Sequence, residues 1–126
     1  MSPDVFLQSF LNGGTGGGDP EAARRVLEPY LTADGDGATR VCVRTDDGEA
    51  DVYGLGDGLL VNHASGQLIW QILVDVSAAS DYAIMPIGRP VCVTRKEMID
   101  ELPQELRGGA VVVGSGEELM SVITDT

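Results

Sequence analysis

A chain of 126 residues, 43% hydrophobic and 22% charged, has the size and composition of one globular domain over 1–126 and is too apolar for a disordered tail. Its 20 acids against 8 bases give a formal net charge of −12, a surface that repels phosphate and makes nucleic acid and anionic membrane poor partners. Two cysteines are too few for a disulfide scaffold, no apolar run reaches the roughly 18 residues of a spanning helix, and the first residues lack a basic-then-apolar leader. The expectation is a cytoplasmic protein with reduced thiols.

Residues 4–11 (DVFLQSFL) read as a short strand or a helical turn, which their period does not separate. A Gly-rich stretch, 12–18, reads as a flexible loop. Asp19-Pro20-Glu21 then opens a helix, with Asp19 as N-cap, Pro20 at the first turn and Glu21 facing the positive end of the dipole. Ala23, Val26, Leu27, Tyr30 and Leu31 form its apolar stripe, and Pro29 must distort its end. Thr32–Gly37 reads as a loop.

Three strands follow: Thr39–Thr45, Glu49–Tyr53 and Leu59–Val61, joined by turns at Asp46-Asp47-Gly48 and Gly54–Gly58. They form an antiparallel meander with one wet face, which carries Arg40, Cys42 and Arg44 on the first strand. Ser65 is expected to cap a helix running to about Ala79, with Leu68, Ile69, Ile72, Leu73 and Val76 buried. Tyr82–Ile87 reads as a strand covered on both faces, with Pro86 placing its end at an edge or bulge, and Pro90–Val93 as a further extended piece. Thr94–Glu97 and Ser115–Glu118 match the capping box and predict helices on either side of a buried strand, Ala110–Val113. The predicted fold class is α+β: a single mixed sheet containing the three-stranded meander, with helices on at least one face. The crossover from strand 59–61 through the helix to strand 82–87 is right-handed if those strands are parallel neighbours.

Motifs for chemistry are mostly missing. The glycines at 13–18 and at 114–116 lack phosphate-loop spacing, and Asp19, Glu21, Glu117 and Glu118 occupy the helix starts where a phosphate would sit. Asp34-Gly-Asp36-Gly fails as a calcium loop, because Thr39 replaces the required glycine and Thr45 the bidentate glutamate. One histidine, His63, and two isolated cysteines, Cys42 and Cys92, give no zinc spacing. Both cysteines sit between valines in strands, where a thiol behaves as a small hydrophobe, and His63 reads as a turn residue before a helix rather than a general base. No cofactor, no metal and no catalytic residue is assigned, and the expectation is that the protein is not an enzyme.

What remains is the meander. From Asp34 to Gly58 there are seven acids and two arginines. Glu49, Asp51 and Tyr53 alternate on one face, and an aromatic among carboxylates can anchor a basic partner. Asp46, Asp47, Glu49, Asp51, Tyr53 and Asp57 are the predicted partner-binding residues. In size, acidity and coarse element order the whole chain resembles the immunity proteins of bacterial polymorphic toxin systems. That resemblance implies a cytoplasmic protein that binds a basic partner, such as a toxin domain, and occludes it. The alternatives are a small-ligand-binding regulatory domain, with a pocket near Trp70 and Tyr82, or a subunit of a larger assembly.

Overall fold

The segment whose period left strand and helix open is a strand, Val5–Leu11 (β1), with Val5, Leu7 and Ser9 buried and the residues between them half-exposed. It lies at the middle of the sheet in the computed structural model, which describes residues 4–32, 40–54 and 58–124. A two-residue strand, Gly14–Thr15 (β2), turns back on it through Asn12 and Gly13, both at positive φ. Part of the predicted 12–18 loop is therefore a hairpin, and the Gly13 amide donates to the Glu101 carbonyl at 2.9 Å. The chain continues through Pro20–Leu27 (α1), a 3-10 turn Glu28–Tyr30, Leu31–Thr32 (β3), Arg40–Arg44 (β4), Glu49–Gly54 (β5) and Gly58–Asn62 (β6). Then come Leu68–Ser80 (α2), Tyr82–Pro86 (β7), Cys92–Val93 (β8), a 3-10 segment Lys96–Glu101, Gln104–Arg107 (α3), Val111–Val112 (β9) and Gly116–Thr124 (α4).

The protein is α+β, with one mixed sheet of nine strands among the described residues. The path is β3-β4-β5-β6-β1-β7-β8-β9, with β2 paired to β1. The β4-β5-β6 meander is antiparallel as expected, and β3 adds a strand where the end of the helical stripe, Leu31, and the start of a loop, Thr32, were predicted. Strands β6 and β7 both run antiparallel to β1, so they are parallel to each other but not neighbours. β1 takes the place between them, a long-range pairing that no local periodicity announces. β8 and β9 form a parallel edge pair, and Val112 is 46% exposed, so the strand expected to be buried is an edge.

One face of the sheet is covered by α1, α2 and α4. Val5, Leu7, Val43, Ala50, Val52, Val61 and Ile84 on the strands pack there against Leu27, Ile69, Leu73, Val76, Leu119 and Ile123. The breadth of the apolar face on α2 reflects its position between α1 and α4. Gly116 opens α4 directly against the α2 backbone. A Cβ there would stand 2.3 Å from the Gln71 nitrogen, and the Gly116 amide donates to Gln71 Oε1 at 2.8 Å. The other face has its own small core at one end: Ala83, Val91 and Val93 under Met98 and Leu102.

The predicted helix ends fare differently. Asp19 caps α1, accepting from the Ala22 amide at 3.1 Å, and Pro29 forces the expected distortion into a 3-10 turn. Ser115 caps α4, accepting from the Glu118 amide at 3.2 Å, while the Glu118 carboxylate accepts from the Gly114 amide. The Thr94–Glu97 box does not form. Thr94 instead meets the Ser77 hydroxyl and Met98 Sδ, and the helix is only a 3-10 segment. Pro103 holds Leu102 in an extended conformation at ψ 154, which ends the segment after six residues.

The one-sided helical layer predicts unequal sensitivity to substitution. Leu73→Ala, at the centre of the covered face, should cost about 2–5 kcal/mol. Val112→Lys, on the exposed edge, should stay within about 0.5 kcal/mol of the parent. Urea unfolding of both variants checks this.

Candidate functional site: the open face of the meander

Cross-strand register decides which side chains share the face that the helices leave open. Arg40 pairs with Tyr53, Cys42 with Asp51 and Arg44 with Glu49; on the next strand Asp51 pairs with Asn62 and Tyr53 with Leu60. Leu60 in turn faces Phe6 of β1. Paired residues point to the same side, so this face carries two arginines, Glu49, Asp51, Tyr53, Leu60, Asn62 and Phe6. Phe6, Tyr53, Leu60 and Asn62 are half-buried, and none of them belongs to either hydrophobic core.

The acids on this face are held in place. Asp51 accepts from Arg40 Nη1 at 2.9 Å, and its second oxygen lies 3.0 Å from His63 Nδ1. The His63 bond, aided by the Arg40 guanidinium, keeps the Asp51 carboxyl below its ordinary value of 3.8. Glu49 meets Arg44 at 3.3 Å in an exposed pair. The strand that precedes the acids therefore supplies a cation to each of them, and the face is less negative than the composition of the segment suggests.

Asp47 has a different task. It lies in the β4-β5 turn, and its carboxylate accepts from the amides of Gln67 at 2.7 Å and Leu68 at 3.3 Å, where α2 begins. The expected Ser65 cap is corrected: Gln67 is the N-cap residue and makes no side-chain cap, so the first amides of α2 are satisfied by this carboxylate from 20 residues away. Ser65 instead serves β5, its hydroxyl accepting from the Glu49 amide at 3.1 Å while its own amide donates to the Glu49 carbonyl at 2.8 Å. The approach is close enough to require glycine. A Cβ on Gly48 would stand 2.0 Å from the Ser65 carbonyl oxygen, and Gly66, at φ 83°, faces Asp47. The Gln67 amide, with the Thr45 hydroxyl and the Leu68 amide, lowers the Asp47 carboxyl below 3.8.

Of the predicted residues, the structure gathers Glu49, Asp51 and Tyr53 on one face, with Asp46 exposed at the adjoining turn; Asp57 lies outside the described residues. Asp46 has no hydrogen bond or ion pair among the described residues, and the same is true of the Tyr53 hydroxyl. The Asp34–Gly37 segment also lies outside the described residues. Sequence reasoning missed Asn62, whose buried Oδ1 has no hydrogen-bond partner among the described residues, and Phe6 and Leu60. The alternation of β6 could have pointed to Leu60 and Asn62; no local signal places Phe6 beside them.

His63 is 78% exposed and adopts φ 54°, a left-handed conformation uncommon for a residue with a Cβ. It meets a carboxylate, not a thiol. Cys42 is buried on β4, and Cys92 is buried on β8, with four strands between them. Burial pushes the Cys92 thiol up to about 11, which suits an inert core residue. Among the described residues no group of His, Cys, Asp and Glu is arranged to hold a metal ion, and no helix is long and apolar enough to cross a membrane. On the covered side of the same strands, a cleft of about 840 Å³ opens between α1 and β4-β5-β6. Tyr82 lines it and Trp70 does not.

No protein-family model, curated protein or solved structure matches the chain.

The capping role gives a pH prediction. Asp47 and Asp51 have folded-state pKa values below the ordinary 3.8, so the stability they contribute is complete above about that pH and is lost as pH falls through the lowered values. Asp47→Ala should lower the melting temperature by several degrees at pH 7 and show a smaller further loss on acidification than the parent. Asp46→Ala should leave both unchanged. Thermal melts from pH 7 down to pH 3 make the comparison.

Proposed function

We propose that the protein is an acidic interaction module, of the immunity-protein kind, that binds a basic protein partner through the open face of the meander and blocks that partner's working surface. The observation that carries this reading is the make-up of the face. A half-buried apolar and aromatic centre (Phe6, Tyr53, Leu60) is flanked by charged groups fixed in cross-strand pairs (Arg44 with Glu49; Arg40, Asp51 and His63). Recognition surfaces combine such a centre with a polar rim, and side chains already held in place lose less entropy on binding.

Charge acts at two ranges. The net −12 steers a cationic partner towards the molecule, speeding encounter in a way that salt screens. At contact, Asp46 is the acid of this hairpin that has no competing partner among the described residues, and among the same residues the Tyr53 hydroxyl is unengaged beside its aromatic ring. Aromatic residues at the centre of a contact commonly carry a large share of its energy. The partner class is a protein with an excess of Lys and Arg, such as a toxin domain.

Affinity capture from extract of the source cell, at low and at high salt, tests the reading. It expects a basic protein retained at low salt and released at high salt. With that protein purified, Tyr53→Ala should weaken binding by roughly tenfold or more, mainly through faster dissociation. Glu49→Lys should slow association and flatten its salt dependence. Full affinity in both variants, each shown to be folded, would remove this face from the account.

A further inference from the structure

The geometry points to a second binding site on the opposite side of the same strands: the cleft between α1 and the meander takes a hydrophobic α-amino acid. The cleft, about 840 Å³, falls within the range of small-molecule pockets. Its walls are apolar. Ala23 and Leu27 come from α1, Val41, Val52 and Leu59 from the meander, and Tyr82 closes the end. Such walls bind an aliphatic or aromatic body by removing it from water.

Gly54 leaves the space open. It stands on the same side of β5 as Val52, because the two are two residues apart in one strand, and it lines the cleft. A Cβ built there meets nothing within 4 Å among the described residues. Glycine in a strand weakens it and commonly marks a place where a ligand approaches the backbone. The φ of Gly54 is not in the left-handed region, so no backbone conformation reserved for glycine accounts for it.

The rim supplies the polar specificity. Arg24 and Glu28, one helical turn apart at the end of α1, both line the cleft, and neither forms a side-chain ion pair or hydrogen bond among the described residues. Glu21, the third charged residue of the lining, is engaged by Arg25 at 3.6 Å. A cation and an anion that are both free among the described residues therefore stand on neighbouring turns of the helix, with Cβ atoms about 5–6 Å apart. A ligand bearing only a carboxylate would meet Arg24 but be repelled by Glu28, and a simple amine would face the reverse. A ligand carrying both charged groups on one carbon satisfies both: carboxylate to Arg24, ammonium to Glu28, side chain into the cleft. An α-amino acid with an apolar side chain has that arrangement. This site is independent of the partner-binding face, and either reading can fail without the other.

Titration calorimetry on the full chain tests the inference, with L-leucine and L-phenylalanine as probes. The result expected is saturable binding of at least one of them at one site. N-acetyl-leucine, which lacks the ammonium, and leucinamide, which lacks the carboxylate, should each bind roughly tenfold more weakly or worse, since an unpaired charge is left at the rim. Arg24→Gln should abolish the preference for leucine over leucinamide, and Glu28→Gln the preference over N-acetyl-leucine. Gly54→Leu should remove binding with the melting temperature preserved. Absence of binding by both amino acids, equal binding of all four compounds, or undiminished binding in a folded Gly54→Leu variant would overturn it. Arg24 and Glu28 are exposed, so their variants keep the test decisive even if Gly54→Leu fails to fold.

Discussion

The contact between the β4-β5 turn and the entrance to α2 joins the sheet to its principal helix. Asp47 satisfies the first amides of α2, Gly48 lies against the Ser65 carbonyl, and the Glu49 and Ser65 backbones are bonded to each other. None of these contacts works alone. The carboxylate reaches the helix only because Gly48 permits the approach, and the segment before α2 is held only because Ser65 is tied to β5. With that segment fixed, His63 leaves β6 in the left-handed conformation and arrives at Asp51. A helix cap at the surface, where the turn meets α2, thus bears on the charge arrangement of the open face.

This arrangement changes what acidity means for the protein. Read along the chain, the hairpin is a run of negative charge. In three dimensions, Asp47 is committed to a helix, Glu49 to Arg44, and Asp51 to Arg40 and His63. Ion pairs at or near the surface contribute little to stability, typically within about 1 kcal/mol. Their effect is on geometry: they hold long side chains still around the Tyr53 and Leu60 centre. On the proposed reading, the steering field comes from the whole molecule, and the local face supplies shape and orientation. One hairpin therefore presents two unlike surfaces, an amphipathic face on one side and an apolar cleft on the other, because alternate residues of a strand point in opposite directions.

Local pattern made much of the fold legible. The alternation at 49–53 placed Glu49, Asp51 and Tyr53 together, and Asp19-Pro20 marked the start of α1, because both signals act within a few residues. What depended on distant partners was not legible. The DVFLQSFL segment has no decisive period, since its identity as the central strand comes from pairing with β6 on one side and β7 on the other. Ser65 looked like a helix cap because the competing carboxylate, Asp47, is remote in sequence. Thr94 and Glu97 match a capping box in spelling, yet Thr94 meets the Ser77 hydroxyl of α2, a partner remote in sequence. The cleft had no sequence signal beyond Gly54 and Gly58, which read equally well as turn residues.

The central claim is that the open meander face, not the helical face, meets the partner. Carbodiimide labelling of carboxylates, with and without the basic protein retained at low salt, tests it most directly. The account predicts that Asp46 and Glu49 lose reactivity in the complex while Glu117 and Glu118 on α4 keep theirs. Protection of the α4 carboxylates with Asp46 and Glu49 still reactive would contradict it.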